Sequence, residues 1–139
     1  MRLGIFALSL MFVIPGQGAQ DDTKKELEKL QGRWAIATFN GQDVPSDAQA
    51  FLVFTGDKYE QVNNGSVDER GTIKIDPKTK PMSIDLIITE GNDAGKTQPG
   101  VYELADSTTL SIGLALPGNT TRPSAIANAE LQVLLTKVK

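Results

Sequence analysis

From residue 34 onward, apolar residues recur at every second position. Met82, Ile84, Leu86 and Ile88 alternate with Ser83, Asp85, Ile87 and Thr89. Leu110, Ile112 and Leu114 alternate with Ser111, Gly113 and Ala115, and Leu131, Val133 and Leu135 with Gln132, Leu134 and Thr136. A period of two sends successive side chains to opposite faces of an extended chain, so each run predicts a strand with one face buried. Turn signals separate the runs: Asn40-Gly41, Gly56-Asp57, Asn64-Gly65, Pro77 to Pro81, Gly91 to Gly95, Asp106-Ser107 and Pro117-Gly118-Asn119. The spacing predicts eight strands, near 34–40, 51–55, 58–63, 67–76, 82–89, 97–104, 108–115 and 131–138. Asn64-Gly65 between two short runs predicts a type I′ hairpin. Short strands joined mostly by tight turns predict an all-β fold, an antiparallel up-and-down eight-stranded β-barrel whose closure removes exposed strand edges. A two-sheet sandwich is the alternative that the strand pattern leaves open.

The pattern before residue 34 is different. Leu27 and Leu30 make a narrow apolar stripe at helical spacing, Thr23 and Glu26 have the spacing of a capping box, and Gly32 stops the run. A short N-terminal helix is therefore expected ahead of the first strand. Further upstream, Met1-Arg2 is followed by an almost wholly apolar run from Leu3 to Ile14, a break at Pro15 and the small residues of Gly16-Gln17-Gly18-Ala19. This is the pattern of a secretory signal peptide, and it is too short for a membrane span of about 20 residues. Cleavage near Gly18 or Ala19 divides the chain into a signal peptide over 1–19 and one barrel domain over 20–139. The expected location is outside the cytoplasm, periplasmic or extracellular, with no membrane span once the signal is removed.

Composition narrows the chemistry. The 139 residues include no Cys and no His. Disulfides, thiolate nucleophiles, Cys-based zinc sites, His-containing triads and His-bound metals are all excluded. The net charge is −3, and removing Arg2 with the signal makes it more negative. Nucleic acid is held mainly by clustered Lys and Arg, so this balance argues against it as a partner.

Two groups of residues look familiar. Leu30-Gln31-Gly32-Arg33-Trp34 places a Gly-x-Trp at the start of the first strand, just after a short helix. That arrangement resembles the start of lipocalins and of the broader calycin group. Asn40-Gly41, Phe51 to Thr55, Gly56-Asp57-Lys58-Tyr59, Gly71 to Asp76, Lys80 to Leu86, Gly95-Lys96-Thr97, Gly100 to Leu104 and Arg122-Pro123 then follow in order. Together these are similar to a small exported lipocalin-like domain family of unknown function, found in planctomycete-type bacteria, across residues 26 to 138. The resemblance implies a lipocalin-like barrel with the Trp packed across its closed end. It brings no catalytic residues. Where lipocalins stack an Arg of the last strand on that Trp, this chain offers Lys137 and Lys139.

The inward positions expected from alternation are Trp34, Ile36, Phe51, Val53, Tyr59, Ile73, Ile75, Met82, Ile84, Leu86, Ile88, Tyr102, Leu104, Leu110, Ile112, Leu114, Leu131, Val133 and Leu135. An eight-stranded barrel is just wide enough to be filled by side chains or to hold one small ligand, and both outcomes stay open here. If a cavity exists, its expected lining is Trp34, Phe51, Tyr59 and Tyr102, with the two hydroxyls as polar handles. Arg122 lies in the long loop before the last strand, which in a barrel is expected to cross an end as a lid or plug. There it would meet an anionic headgroup, or else bond loop carbonyls as a structural residue.

The alternation places almost no polar groups inside, which counts against a hydrolase or isomerase. Gly91 to Thr97 has a phosphate-loop look, but it lies between two strands with no helix after it and is expected to be a hairpin loop. No enzyme activity, cofactor or metal is expected. The expected partner is a small hydrophobic molecule in the barrel; the rival reading is a packed barrel that acts through its surface on a protein partner.

Overall fold

The structure, a computed structural model, describes residues 17–139. The expected signal peptide therefore lies outside the described residues apart from its last three positions. A helix, α1 (Gln17–Leu30), leads directly into strand β1 (Gly32–Phe39). The following strands are β2 (Gln42–Asp43), β3 (Phe51–Thr55), β4 (Lys58–Asn63), β5 (Ser66–Asp76), β6 (Met82–Glu90), β7 (Thr97–Asp106), β8 (Thr109–Leu114) and β9 (Leu131–Lys137). Among the described residues no helix is long and apolar enough to cross a membrane.

Every strand from β3 to β9 pairs antiparallel with the next, and β1 pairs with both β3 and β9. Eight strands thus close on themselves. The sandwich alternative is excluded by the β1–β9 ladder, which runs from Trp34↔Lys137 to Phe39↔Val133. β2 is an extra two-residue arm on the outer half of β1, reached through the Asn40-Gly41 turn. Asn64 and Gly65 both have positive φ, 53° and 85°, the two left-handed positions that a type I′ turn requires.

The helix starts earlier than the capping pattern indicates, so Thr23 lies inside it rather than at its N-cap. No proline interrupts the chain between Gln17 and Thr23, and the helix runs on through Gly18. Its C-terminal end closes the barrel. Trp34 donates its indole Nε1–H to the Leu30 carbonyl at 2.8 Å, and Trp34, Leu30 and Tyr102 are all fully buried. Lys137 lies over the Trp34 ring, 4.7 Å from its centroid, and donates to the Gln31 carbonyl. The lysine of the last strand thus covers the tryptophan with its cation, the contact the resemblance assigned to an arginine.

The turns after β3, β5 and β7 lie at this closed end. Those after β1, β4, β6 and β8 lie at the other. The half near the helix is filled by Trp34, Phe54, Ile73, Ile84, Tyr102, Leu110, Ile112 and Leu135. A packed interior is therefore correct for one half of the barrel, and the opposite half is hollow.

Parity in β3 differs from expectation. Leu52 and Phe54 point inward, and Phe51 and Val53 face out, paired with Ala35 and Arg33. The run Phe51-Leu52-Val53-Phe54 is apolar at every position, so alternation alone cannot assign its inner face. Tertiary packing decides it: the Arg33 guanidinium stacks over the Phe51 ring at 3.8 Å on the outer surface.

Candidate functional site

A cavity of about 550 Å³ opens at the end opposite the helix. Its lining divides into two arcs. The segments that come from β1, the 44–52 stretch, β8, β9 and the chain just after β8 are apolar: Ile36, Phe39, Leu52, Leu114, Pro117 and Val133 are typical. The arc from β4 through β7 is polar, with Tyr59, Gln61, Asn63, Glu69, Asp93 and Gln98, interrupted by Leu86.

Strand irregularities aim these side chains. A bulge in β1 between Ile36 and Thr38 shifts the alternation, so that Phe39, opposite Val133, reaches the cavity. A second bulge, between β4 and β5, leaves Gln61 opposite Glu69 and re-registers Val62 against Val67. Within β4, Tyr59, Gln61 and Asn63 share one face, as period two requires.

Tyr59 is positioned by a glycine. It pairs across the strands with Gly71, and a Cβ at Gly71 would lie 2.5 Å from Tyr59 Cε1 and 2.2 Å from the Ile87 carbonyl oxygen. The ring occupies the space that a side chain at residue 71 would need. From there its hydroxyl donates to Glu69 Oε2 at 2.8 Å. Burial, then the bond to Glu69 and its charge, push the Tyr59 phenol far above its ordinary range. Glu69 is itself raised, first by burial and further by the charge of Asp93, against the lowering effect of the Tyr59 hydrogen bond. Gln98, 5% exposed, directs its amide nitrogen to the Ala115 carbonyl at 3.1 Å. Asn63 directs its own to Asp68 at 2.7 Å, and Asp93 pairs with Lys96 at 3.3 Å.

Of the residues expected to line a cavity, Tyr59 does. Trp34 and Tyr102 belong to the packed, closed end, where Tyr102 donates to Glu26 Oε1 at 3.2 Å. Phe51 lies outside, for the reason of parity given above. Arg122 is not at a barrel end. It lies on the outer face of β6 and β7, donating to the carbonyls of Gly100 at 2.8 Å and Ile84 at 3.3 Å and pairing with Asp85 at 2.9 Å. The 115–130 segment that carries it is correspondingly an outer strap and not a lid or plug. Gly113 makes room for it, since a Cβ there would meet Ala129 Cβ at 2.8 Å and Ile126 Cα at 3.0 Å. The 91–95 loop is a β6–β7 connection between strands, as expected.

The expectation of almost no polar groups inside the barrel is corrected by Gln61, Asn63, Glu69 and Gln98. A signal for them was present. Gln61 and Asn63 share the parity of Tyr59, Glu69 that of Gly71 and Ile73, and Gln98 that of Tyr102. They lie toward the open end of the barrel, where a polar inward position is not buried in the packed half.

No family model matches the chain, and neither the curated proteins nor the solved structures contain one detectably similar to it.

Proposed function

We propose that this chain is an exported, non-enzymatic lipocalin-like protein that carries a small, mainly apolar molecule in the open end of its barrel. The observation that carries the reading is the half-filled interior. One end is sealed by α1, Trp34 and Tyr102, while the other keeps a cavity of about 550 Å³ with an apolar wall facing a polar one. Ligand sites fall at roughly 300–1,000 Å³ and combine apolar walls with a few placed polar groups. Affinity would come from burial of the ligand body against Leu52, Leu114, Leu131 and Val133, and orientation from the Tyr59–Glu69 side. Phe39 and Leu116, 43% and 45% exposed near the open end, add apolar surface at the rim. Export rests on the Met1–Ala19 pattern, and the family reading on the ordered set of motifs from Leu30 to Pro123.

The test is titration with N-phenyl-1-naphthylamine, a neutral apolar fluorophore, reading energy transfer from Trp34, the one Trp of the chain. Saturable binding to one site is expected, weakened about tenfold or more by Val133→Phe, which fills the apolar wall. Near-UV circular dichroism on the same samples separates cavity binding from uptake by a loosened core. Absence of transfer in a well-folded sample would sink the carrier reading and leave the outer surface as the place of action.

A further inference from the structure

The two walls of the cavity differ in more than polarity. Along the β4–β7 arc some of the polar groups are bonded within the protein. The Tyr59 hydroxyl donates to Glu69, the Gln98 amide nitrogen to Ala115 and that of Asn63 to Asp68. Gln61, Asn63 and Gln98 still offer both N–H donors and carbonyl acceptors, so hydrogen bonding gives the arc no preference and its charge decides the sign of the ligand. The charged residues that line the cavity, Glu69 and Asp93, are both acidic, and no Lys or Arg is among the lining residues. Lys96 offsets part of the charge of Asp93 from outside that lining, which leaves Glu69 as the principal charge. A carboxylate or phosphate headgroup would have to leave water for a wall whose charges carry its own sign. An ammonium would find the Glu69 carboxylate on one side, with apolar surface opposite for its body.

Resting on the carrier reading above, we infer that the ligand is an amphipathic amine, held by its apolar body against β1, β8 and β9 and by its cationic end at Glu69. This assigns Glu69 as the specificity-determining residue, with Tyr59 holding its carboxylate in place and Asp93 adding charge at the rim.

Three probes with one fluorophore and one tail test this: N-dansyl-1,10-diaminodecane, 11-(dansylamino)undecanoic acid and the neutral N-dansyl-decylamine. Each is titrated at neutral pH into the full protein, reading transfer from Trp34. The amine is expected to bind about tenfold or more tighter than the acid, the neutral probe falling between, since a charge-assisted hydrogen bond contributes on that scale. Glu69→Gln keeps an acceptor for Tyr59 and should bring the two charged probes to within about threefold of each other. Asp93→Asn, a rim change with little bearing on folding, should narrow the gap partially. Equal affinities, or tighter binding of the acid, would overturn the amine assignment while leaving the carrier reading standing. Binding of none of the probes by a well-folded protein would overturn both. An amine preference that survives in both variants would show that the charge lies elsewhere and overturn the role of Glu69.

Discussion

Tyr59 depends on a residue that has no side chain. Gly71 leaves the gap into which its ring leans, and the ring in turn carries the hydroxyl to Glu69. Gly71→Ala drives a methyl group into a backbone carbonyl at 2.2 Å, which side-chain repacking cannot relieve. The expected outcome is a loss of about 1–3 kcal/mol in urea unfolding, the range for overpacking, with weakened probe binding. An Ala variant with unchanged stability and binding would show that Tyr59 is held by other means. Tyr59 was legible in the sequence because its neighbours Glu60 and Lys58 are polar and fix its parity. Phe51 was not, because Leu52 and Phe54 are equally apolar. For that strand the deciding contacts are Arg33 on Phe51 outside and the packed half-core around Phe54 inside.

At the scale of elements, the short arm β2 was not foreseen, but the eight barrel strands and their order followed from turn residues and period two. The long connection between β8 and β9 did not. Its composition fits a lid, a plug or a strap equally, and the choice rests on contacts distant in sequence. Arg122 is bound to the β6–β7 surface 22 and 38 residues away, and Gly113 admits Ile126 and Ala129. Val101, opposite Gly113 and alternating outward from Tyr102, is only 2% exposed, which fits cover from this strap. Gly113→Val is expected to lift the strap, seen as new protease cleavage within 115–130, while the ligand cavity, lined from this segment only by Pro117, keeps most of its probe affinity. Loss of binding with an intact barrel would instead make the strap part of the site.

Considered as a whole molecule, the barrel buries both tyrosines of the chain at 2% exposure or less, each bonded to a glutamate. Burial, followed by the charge of Glu26 and the bond to it, also pushes the Tyr102 phenol far up. A phenol raised in the folded state stabilises below its unfolded pKa of about 10 and loses that contribution as pH rises beyond it, because the unfolded chain releases the proton first. Stability should therefore fall above about pH 10, by roughly 1.4 kcal/mol per pH unit for each tyrosine. Phenolate absorbance should appear only together with the unfolding seen in Trp34 fluorescence. Phenolate absorbance that rises near pH 10 in a still-folded protein would contradict the buried placement of at least one ring.

What the sequence determined by itself is the local grammar: the helix before Gly32, the strands from their period, the type I′ hairpin at Asn64-Gly65 and a chemistry without Cys or His. These follow from backbone sterics and side-chain type, which act within a few residues. Closure by the β1–β9 ladder, the inner face of β3, the seat of Arg122 and the division of the interior into a packed end and a two-walled cavity were decided only by tertiary structure. Each depends on which distant strands face one another, and on bulges that shift parity partway along a strand without a mark in the local pattern.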